Sequence, residues 1–186
     1  MKSETPKHLR PIYEDLGVDK YYSLYGDAYE NPHLPQIQAL LAQNKENMDL
    51  SHVLDFGAGG GEITLELQKW GVAQITACDP YTYRLYQKKT GLPCKNWSFK
   101  GVINGQIKGD FSVIIASFAL HLCPEAELHA LVKKLFKHTK QLVVLTPHKR
   151  PQLEEFKGIN LDFEDFALTE KGKKVFLRSY SCIWNS

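Results

Sequence analysis

Asp55, Glu62 and Asp79 are three carboxylates set around a run of glycines, and their spacing limits what the chain can hold. The stretch from Val53 to Glu62 reads VLDFGAGGGE. Val53 and Leu54 open an apolar run without helical periodicity, which the glycines break, so a buried strand feeds a tight loop. Gly57, Gly59, Gly60 and Gly61 permit positive φ and close approach of the backbone to a ligand. Ile63, Leu65 and Leu67 then begin a segment read as a helix, whose first N–H groups are free to point at whatever sits above them. A dinucleotide fingerprint wants glycine where Glu62 stands, and a carboxylate there repels phosphate. Asp55, at the strand's carboxyl end, suits a ligand with an ammonium group. Asp79, in TACDPY, follows Gly57 by 22 residues and ends the next strand-like run, where a carboxylate accepts ribose hydroxyls. The ligand implied is a nucleoside with an amino-acid tail and no phosphate; an ordinary tight turn with an accidental acid pair is the bland alternative.

The pattern D-x-G-x-G-x-G, followed by an acid after the next strand, resembles the class I S-adenosylmethionine-dependent methyltransferases over roughly Leu50 to Pro147. The resemblance implies a three-layer α/β/α Rossmann-like fold with a mostly parallel seven-stranded sheet and a C-terminal antiparallel hairpin. It also implies S-adenosylmethionine as cofactor, with Gly57, Ala58, Gly59 and Gly61 beneath its amino-acid part and Asp79 on its ribose. Asp55 matches the acid that opens the motif. Pro80 and Tyr81 would lie against the adenine, and Ser117, at the end of the central strand FSVIIAS, is a further cofactor-binding candidate.

The elements that must position these residues can be read in order. At 186 residues, with 43% hydrophobic and 24% charged residues, the chain is expected to be one soluble domain, residues 1–48 forming an extension and 49–186 the core. Net charge is +2, but residues 1–93 carry −3 and residues 94–186 carry +5, which permits an anionic partner without requiring one. Cys78, Cys94, Cys123 and Cys182 lack metal-ligand or C-x-x-C spacing and are read as reduced thiols of a cytoplasmic protein; no metal and no membrane role is expected.

The extension holds YYSLYGDAYENPH, from Tyr21 to His33. By resemblance it forms a lid, with Tyr21, Tyr22, Tyr25, Tyr29 and His33 as candidates for the acceptor wall; tyrosines that merely pack the extension onto the core are the alternative. Leu34, Ile37, Leu40 and Leu41 predict a short amphipathic helix ending near Asn44. Glu62 to Trp70 and Tyr81 to Lys89 are read as helices around a second strand at Gln74 to Cys78. The third strand is placed at Trp97 to Val102, where no acid for the adenine amino group is found and either Asn104 or a backbone carbonyl could substitute.

After the central strand comes FALHLCP, where this class keeps a motif facing the methyl group. His121 could take a proton from an attacking hydroxyl or amine, since imidazole titrates near neutrality; a histidine packed beneath the loop is the alternative. His148, in TPHKRP at the end of a strand from Leu142 to Leu145, is the second candidate. No [DNS]-P-P-[YFW] stretch for planar nitrogens occurs, and Pro93–Cys94 falls in the wrong place for covalent cytosine chemistry. Leu128, Leu131, Val132 and Leu135 give a further helix its core face after Pro124. A short helical piece before Asn160 and strands at Asp165 to Thr169 and Val175 to Trp184 complete the chain.

The resulting expectation is methyl transfer to an oxygen or nitrogen of a small-molecule acceptor in preference to a nucleic acid. RNA or protein methylation, a nucleotide-linked oxidoreductase and a non-catalytic binding module remain as alternatives.

Overall fold

A computed structural model of the chain describes residues 30–185. Tyr21, Tyr22, Tyr25 and Tyr29 lie outside the described residues, while His33 lies within them. Six strands form one sheet: β1 (Val53–Phe56), β2 (Ile75–Cys78), β3 (Val113–Ser117), β4 (Leu142–Thr146), β5 (Ile159–Leu168) and β6 (Lys174–Cys182), in the order β2-β1-β3-β4-β6-β5. The first four are mutually parallel, and β6 runs antiparallel to both β4 and β5. The helices are α1 (Leu34–Gln43), α2 (Glu62–Lys69), α3 (Tyr83–Thr90), α4 (Phe99–Ile103) and α5 (Glu125–Leu135).

The parallel strands are apolar at nearly every position because both faces of the sheet are covered. Alternate residues go to opposite sides. Leu54, Phe56, Ile114, Ala116, Leu142 and Val144 pack with Val102 of α4 and with Leu128, Leu131, Val132 and Leu135 of α5. Val53, Val113, Ile115, Val143 and Leu145 pack on the other side with Ile37, Leu40 and Leu41 of α1 and with Ile63 and Leu67 of α2. These buried rows fix the register, since a one-residue slip would exchange the two faces.

One element departs from the reading of the sequence. Trp97 to Val102 is not a strand: Ser98 caps α4, its hydroxyl accepting from the Gly101 N–H at 3.0 Å. Pro93 removes a donor on one side and the Ser98 cap starts a helix on the other, so the chain between them pairs with β2 at one residue only. That bridge joins Lys95 to Cys78, with Asp79 N–H donating to the Lys95 carbonyl at 2.8 Å. The sheet therefore has six strands among the described residues where seven were expected, with the Rossmann-like layering unchanged.

Other boundaries shift for local reasons. Helix α3 starts at Tyr83 instead of Tyr81, because the Asp79 carboxylate holds the N–H groups of Tyr81 and Thr82 in a turn, both at 2.8 Å. The terminal hairpin is longer than its apolar residues suggested, with β5 beginning at Ile159 and carrying a bulge between Leu161 and Phe163. An edge strand needs no continuous apolar row, and the polar run Asn160, Asp162, Glu164 hides it from pattern reading. No helix of the described residues is long and apolar enough to cross a membrane.

Candidate active site

The four parallel strands deliver their carboxyl ends to one edge: β1 runs into Gly57, β2 into Asp79, β3 into Phe118 and β4 towards His148. A cleft partly open to solvent lies over the first three of these ends. Its floor is Gly57, Ala58 and Gly59, its sides are Asp79, Pro80 and Tyr81 on one hand and Ser117, Phe118 and Ala119 on the other, and Asn31, Glu62 and Leu122 also line it.

Backbone geometry explains why the floor is glycine. Gly57 has φ +69°, and a Cβ there would stand 2.5 Å from the Ala119 Cβ. The neighbouring segment can approach the loop this closely only without a side chain. Gly61 has φ +88° and acts as the N-cap of α2; a Cβ on it would meet Thr90 at 2.5 Å and Tyr86 at 3.2 Å. Gly61 thus seats α2 against α3 and is not on the cleft wall, whereas Gly57, Ala58 and Gly59 are.

Asp79 ties the two halves of the floor together. Its Oδ2 accepts from Gly59 N–H at 3.1 Å and its Oδ1 from Tyr81 and Thr82 N–H at 2.8 Å each. Three backbone donors hold the carboxylate in place, and Oδ2 keeps acceptor capacity towards the cleft.

Asp55 has a different place from the one its motif position suggested. It is completely buried beneath the loop and does not line the cleft. Its Oδ2 accepts from the Thr64 hydroxyl at 2.7 Å and the Thr64 N–H at 3.2 Å, and Thr64 in turn contacts the Tyr86 hydroxyl at 2.9 Å. Oδ1 has no hydrogen-bond partner among the described residues. Burial pushes the Asp55 carboxyl up to about 8, against the opposing effect of the Thr64 hydroxyl and with further raising by Glu62. Asp55 is therefore largely neutral near pH 7 and fastens β1 to α2 from below.

Trp97, Ser98 and Phe99 line the cleft beside Pro80 and Tyr81 and were missed, because the segment was assigned to a strand. They bring two aromatic rings to the side where a flat base would stack. Asn104 caps the far end of α4 and does not line the cleft.

His33, His121 and His148 do not line the cleft either, but they gather at its Phe118 and Leu122 end. The His33 ring stacks on Phe118, centroids 5.3 Å apart, and His121 meets His148 edge to face at 4.9 Å. Burial lowers the His33 pKa, with His148 and Lys173 adding to the effect. Phe118 itself has φ +55°, a strained conformation for a bulky side chain, at the point where the chain leaves β3. Nothing in the sequence signalled that position. Cys78, Cys94 and Cys123 are buried free thiols whose pKa burial raises, which removes them as thiolate nucleophiles.

Residues 53–141 match the model of a methyltransferase domain family. An uncharacterised protein of Schizosaccharomyces pombe is 27% identical over 80% of this chain and 78% of its own length. Among solved structures, the fold is similar to magnesium protoporphyrin IX methyltransferase from Synechocystis, determined with bound S-adenosylmethionine. The TM-score is 0.65 at 16% identity, covering 96% of this chain and all of that one. The N-methyltransferase NodS from Bradyrhizobium japonicum, in complex with S-adenosylhomocysteine, also has a TM-score of 0.65, at 12% identity, covering 94% and 97%. A putative RNA methyltransferase from Pyrococcus horikoshii gives 0.57 at 14% identity, covering 79% and 82%.

Proposed function

The chain carries a class I methyltransferase domain at residues 53–141, and from that premise we propose that it transfers the methyl group of S-adenosylmethionine to an oxygen or nitrogen of a small-molecule acceptor. The observation that carries this reading is the joined floor of the cleft, where the glycine loop and the Asp79 carboxylate are locked by the Gly59 to Asp79 hydrogen bond. The residues present fit the cofactor. A loop kept bare of Cβ atoms admits its amino-acid part, the free capacity of Asp79 Oδ2 meets a ribose hydroxyl, and Pro80, Tyr81, Trp97 and Phe99 flank a flat base.

When bound, the cofactor supplies an electrophilic sulfonium methyl. The protein's own contribution is position: the pre-formed floor fixes one reactant, while Ser117, Phe118 and Leu122 shape the space for the other. Holding two reactants within contact distance and excluding water is worth several powers of ten in rate. The acceptor's proton, where it has one to lose, goes to His121 or His148, whose rings are in contact and lie beyond Phe118 and Leu122.

The short connections from β1 to α2 and from β2 to α3 support a small acceptor. The buried free thiols support a reducing, cytoplasmic setting.

Parallel calorimetric titrations with S-adenosylhomocysteine and NADH test the cofactor, with saturable heat expected only from the first. Transfer of labelled methyl to a panel of phenols, carboxylic acids and amines tests the acceptor. Turnover restricted to RNA or to a protein substrate would replace the small-molecule reading.

A further inference from the structure

We propose that Glu62, and not the motif acid Asp55, receives the α-ammonium group of the cofactor. This assignment rests on the cofactor reading above and gives the charged end of the ligand a definite partner.

Two acids beside the glycine loop compete for that role, and their surroundings separate them. Asp55 has no path to a ligand: it is wholly buried, does not line the cleft, and gives Oδ2 to Thr64. Being largely neutral near pH 7, it offers an ammonium group little attraction. Glu62 is the first residue of α2, set by the left-handed turn at Gly61, and it lines the cleft together with Gly57, Gly59 and Asp79. Glu62 thus borders both the cleft and the adjoining groove lined by Gly60 and Lys89, which puts its side chain within reach of the amino-acid end of a ligand lying on the glycine loop.

Among the described residues, no positive charge is in ion-pair contact with Glu62. Lys89 is the nearby cation: both its Nζ and Glu62 Oε1 lie 3.3 Å from the point where a Cβ on Gly60 would stand, yet no ion pair joins them. Burial raises the Glu62 pKa, and Asp79 adds to the rise. The N–H groups of Glu62 and Gly60 and the charge of Lys89 act in the opposite direction without cancelling it. A carboxylate in this position is stabilised when a ligand brings a cation into the cleft, and the ligand is selected for carrying one. The three acids then divide the work: Asp79 meets the sugar, Glu62 meets the ammonium, and Asp55 fastens the loop from beneath.

The test compares two ligands that share the thionucleoside and differ in the amino-acid tail. Affinities for S-adenosylhomocysteine and for 5′-methylthioadenosine are measured calorimetrically on the wild-type chain, on Glu62→Gln and on Asp55→Asn. Glu62→Gln is expected to weaken S-adenosylhomocysteine about 10-fold or more, the scale of a lost charged hydrogen bond, and to leave 5′-methylthioadenosine within about twofold. Asp55→Asn is expected to keep the ratio of the two affinities unchanged.

A second measurement needs no variant: on the wild-type chain, the deamino analogue of S-adenosylhomocysteine should bind about 10-fold weaker than the parent. Equal weakening of both ligands by Glu62→Gln, or loss of the tail's contribution in Asp55→Asn alone, overturns the assignment, as does equal binding of parent and deamino analogue. A wild-type chain that binds none of these ligands overturns the cofactor reading itself, which is a different result from binding them without discrimination.

Discussion

The two ends of the cleft are built from different materials. At the β1 and β2 end, the construction comes from backbone N–H groups and carboxylates: the glycine loop, Glu62, and Asp79 held by three N–H donors. At the β3 and β4 end it comes from side chains that different segments bring together, with His33 on Phe118 and His121 against His148. The first end is acidic and fixed by local hydrogen bonds, whereas the second is histidine-rich and fixed by ring contacts between segments far apart in the chain. A shared cofactor demands the first kind of construction. An acceptor that differs between relatives is accommodated by the second, since ring contacts can be exchanged without disturbing the strands beneath.

The largest effect that would sharpen this contrast lies beneath the acidic end. Asp55 has a folded-state pKa of about 8, above its value in an unfolded chain, so the native state holds its proton more tightly. Its contribution to stability is therefore most favourable below about pH 4, declines as pH rises from about 4 to about 8, and levels off above that. Asp55→Asn, which keeps an acceptor for Thr64, is expected to be more stable than the wild type at pH 8 and above by several kcal/mol, on the order of 5 for a shift of this size. Urea denaturation across pH 4 to 9 reads the difference, and parallel curves for the two proteins would show that Asp55 is not the buried neutral acid described here.

Next in size is the floor itself. Gly57→Ala places a Cβ 2.5 Å from that of Ala119 at φ +69°, and should destabilise the protein by about 2–4 kcal/mol, combining backbone strain with overpacking. Gly91→Ala has a similar φ of +73° but open space around it, and should cost only about 1–2 kcal/mol. Equal losses in denaturation experiments would mean that the close approach of Ala119 to the loop is not tight.

Asp79→Ala should weaken S-adenosylhomocysteine binding by about 1.5–3 kcal/mol, the range for a hydrogen bond to a charged group, with part of the loss arising from the freed Gly59 N–H. Unchanged affinity would end the assignment of Asp79 to the ribose. The smallest effect on cofactor binding belongs to the other end: His148→Ala should leave S-adenosylhomocysteine affinity within about 0.5 kcal/mol, as substitutions away from the contact do. The same variant should lower turnover by about 100-fold where the acceptor must lose a proton. A loss of cofactor affinity in His148→Ala would break the separation between the two ends.

The parts visible in the sequence are those whose physics is local. Glycine spacing reported positive φ at Gly57, Gly59 and Gly61 but wrongly at Gly60, and the apolar runs reported strands buried on both faces. The segment from Pro93 to Asn104 was not visible, because its aromatic and branched residues suit a strand while its cap at Ser98 favours a helix. Packing of Val102 on the sheet accompanies the second outcome. The length of β5 was hidden for a related reason: an edge strand is held by its neighbour's backbone and carries little pattern of its own.

By itself the sequence determined the order of strands and helices outside the segment Trp97 to Val102, the glycine floor and the acid that closes β2, since each follows from local pattern, backbone freedom or the position of a charge along the chain. Only the tertiary structure decided which acid faces the cleft. Asp55 and Glu62 are seven positions apart and both carboxylic acids, but one falls on a buried strand and the other on the first turn of a helix. It also decided that His33, His121 and His148 gather at one end, because their contacts depend on where α1, β3 and β4 come to rest against one another. Solvent access and the approach of distant side chains are properties of the packed molecule, and no spacing along a single chain encodes them directly.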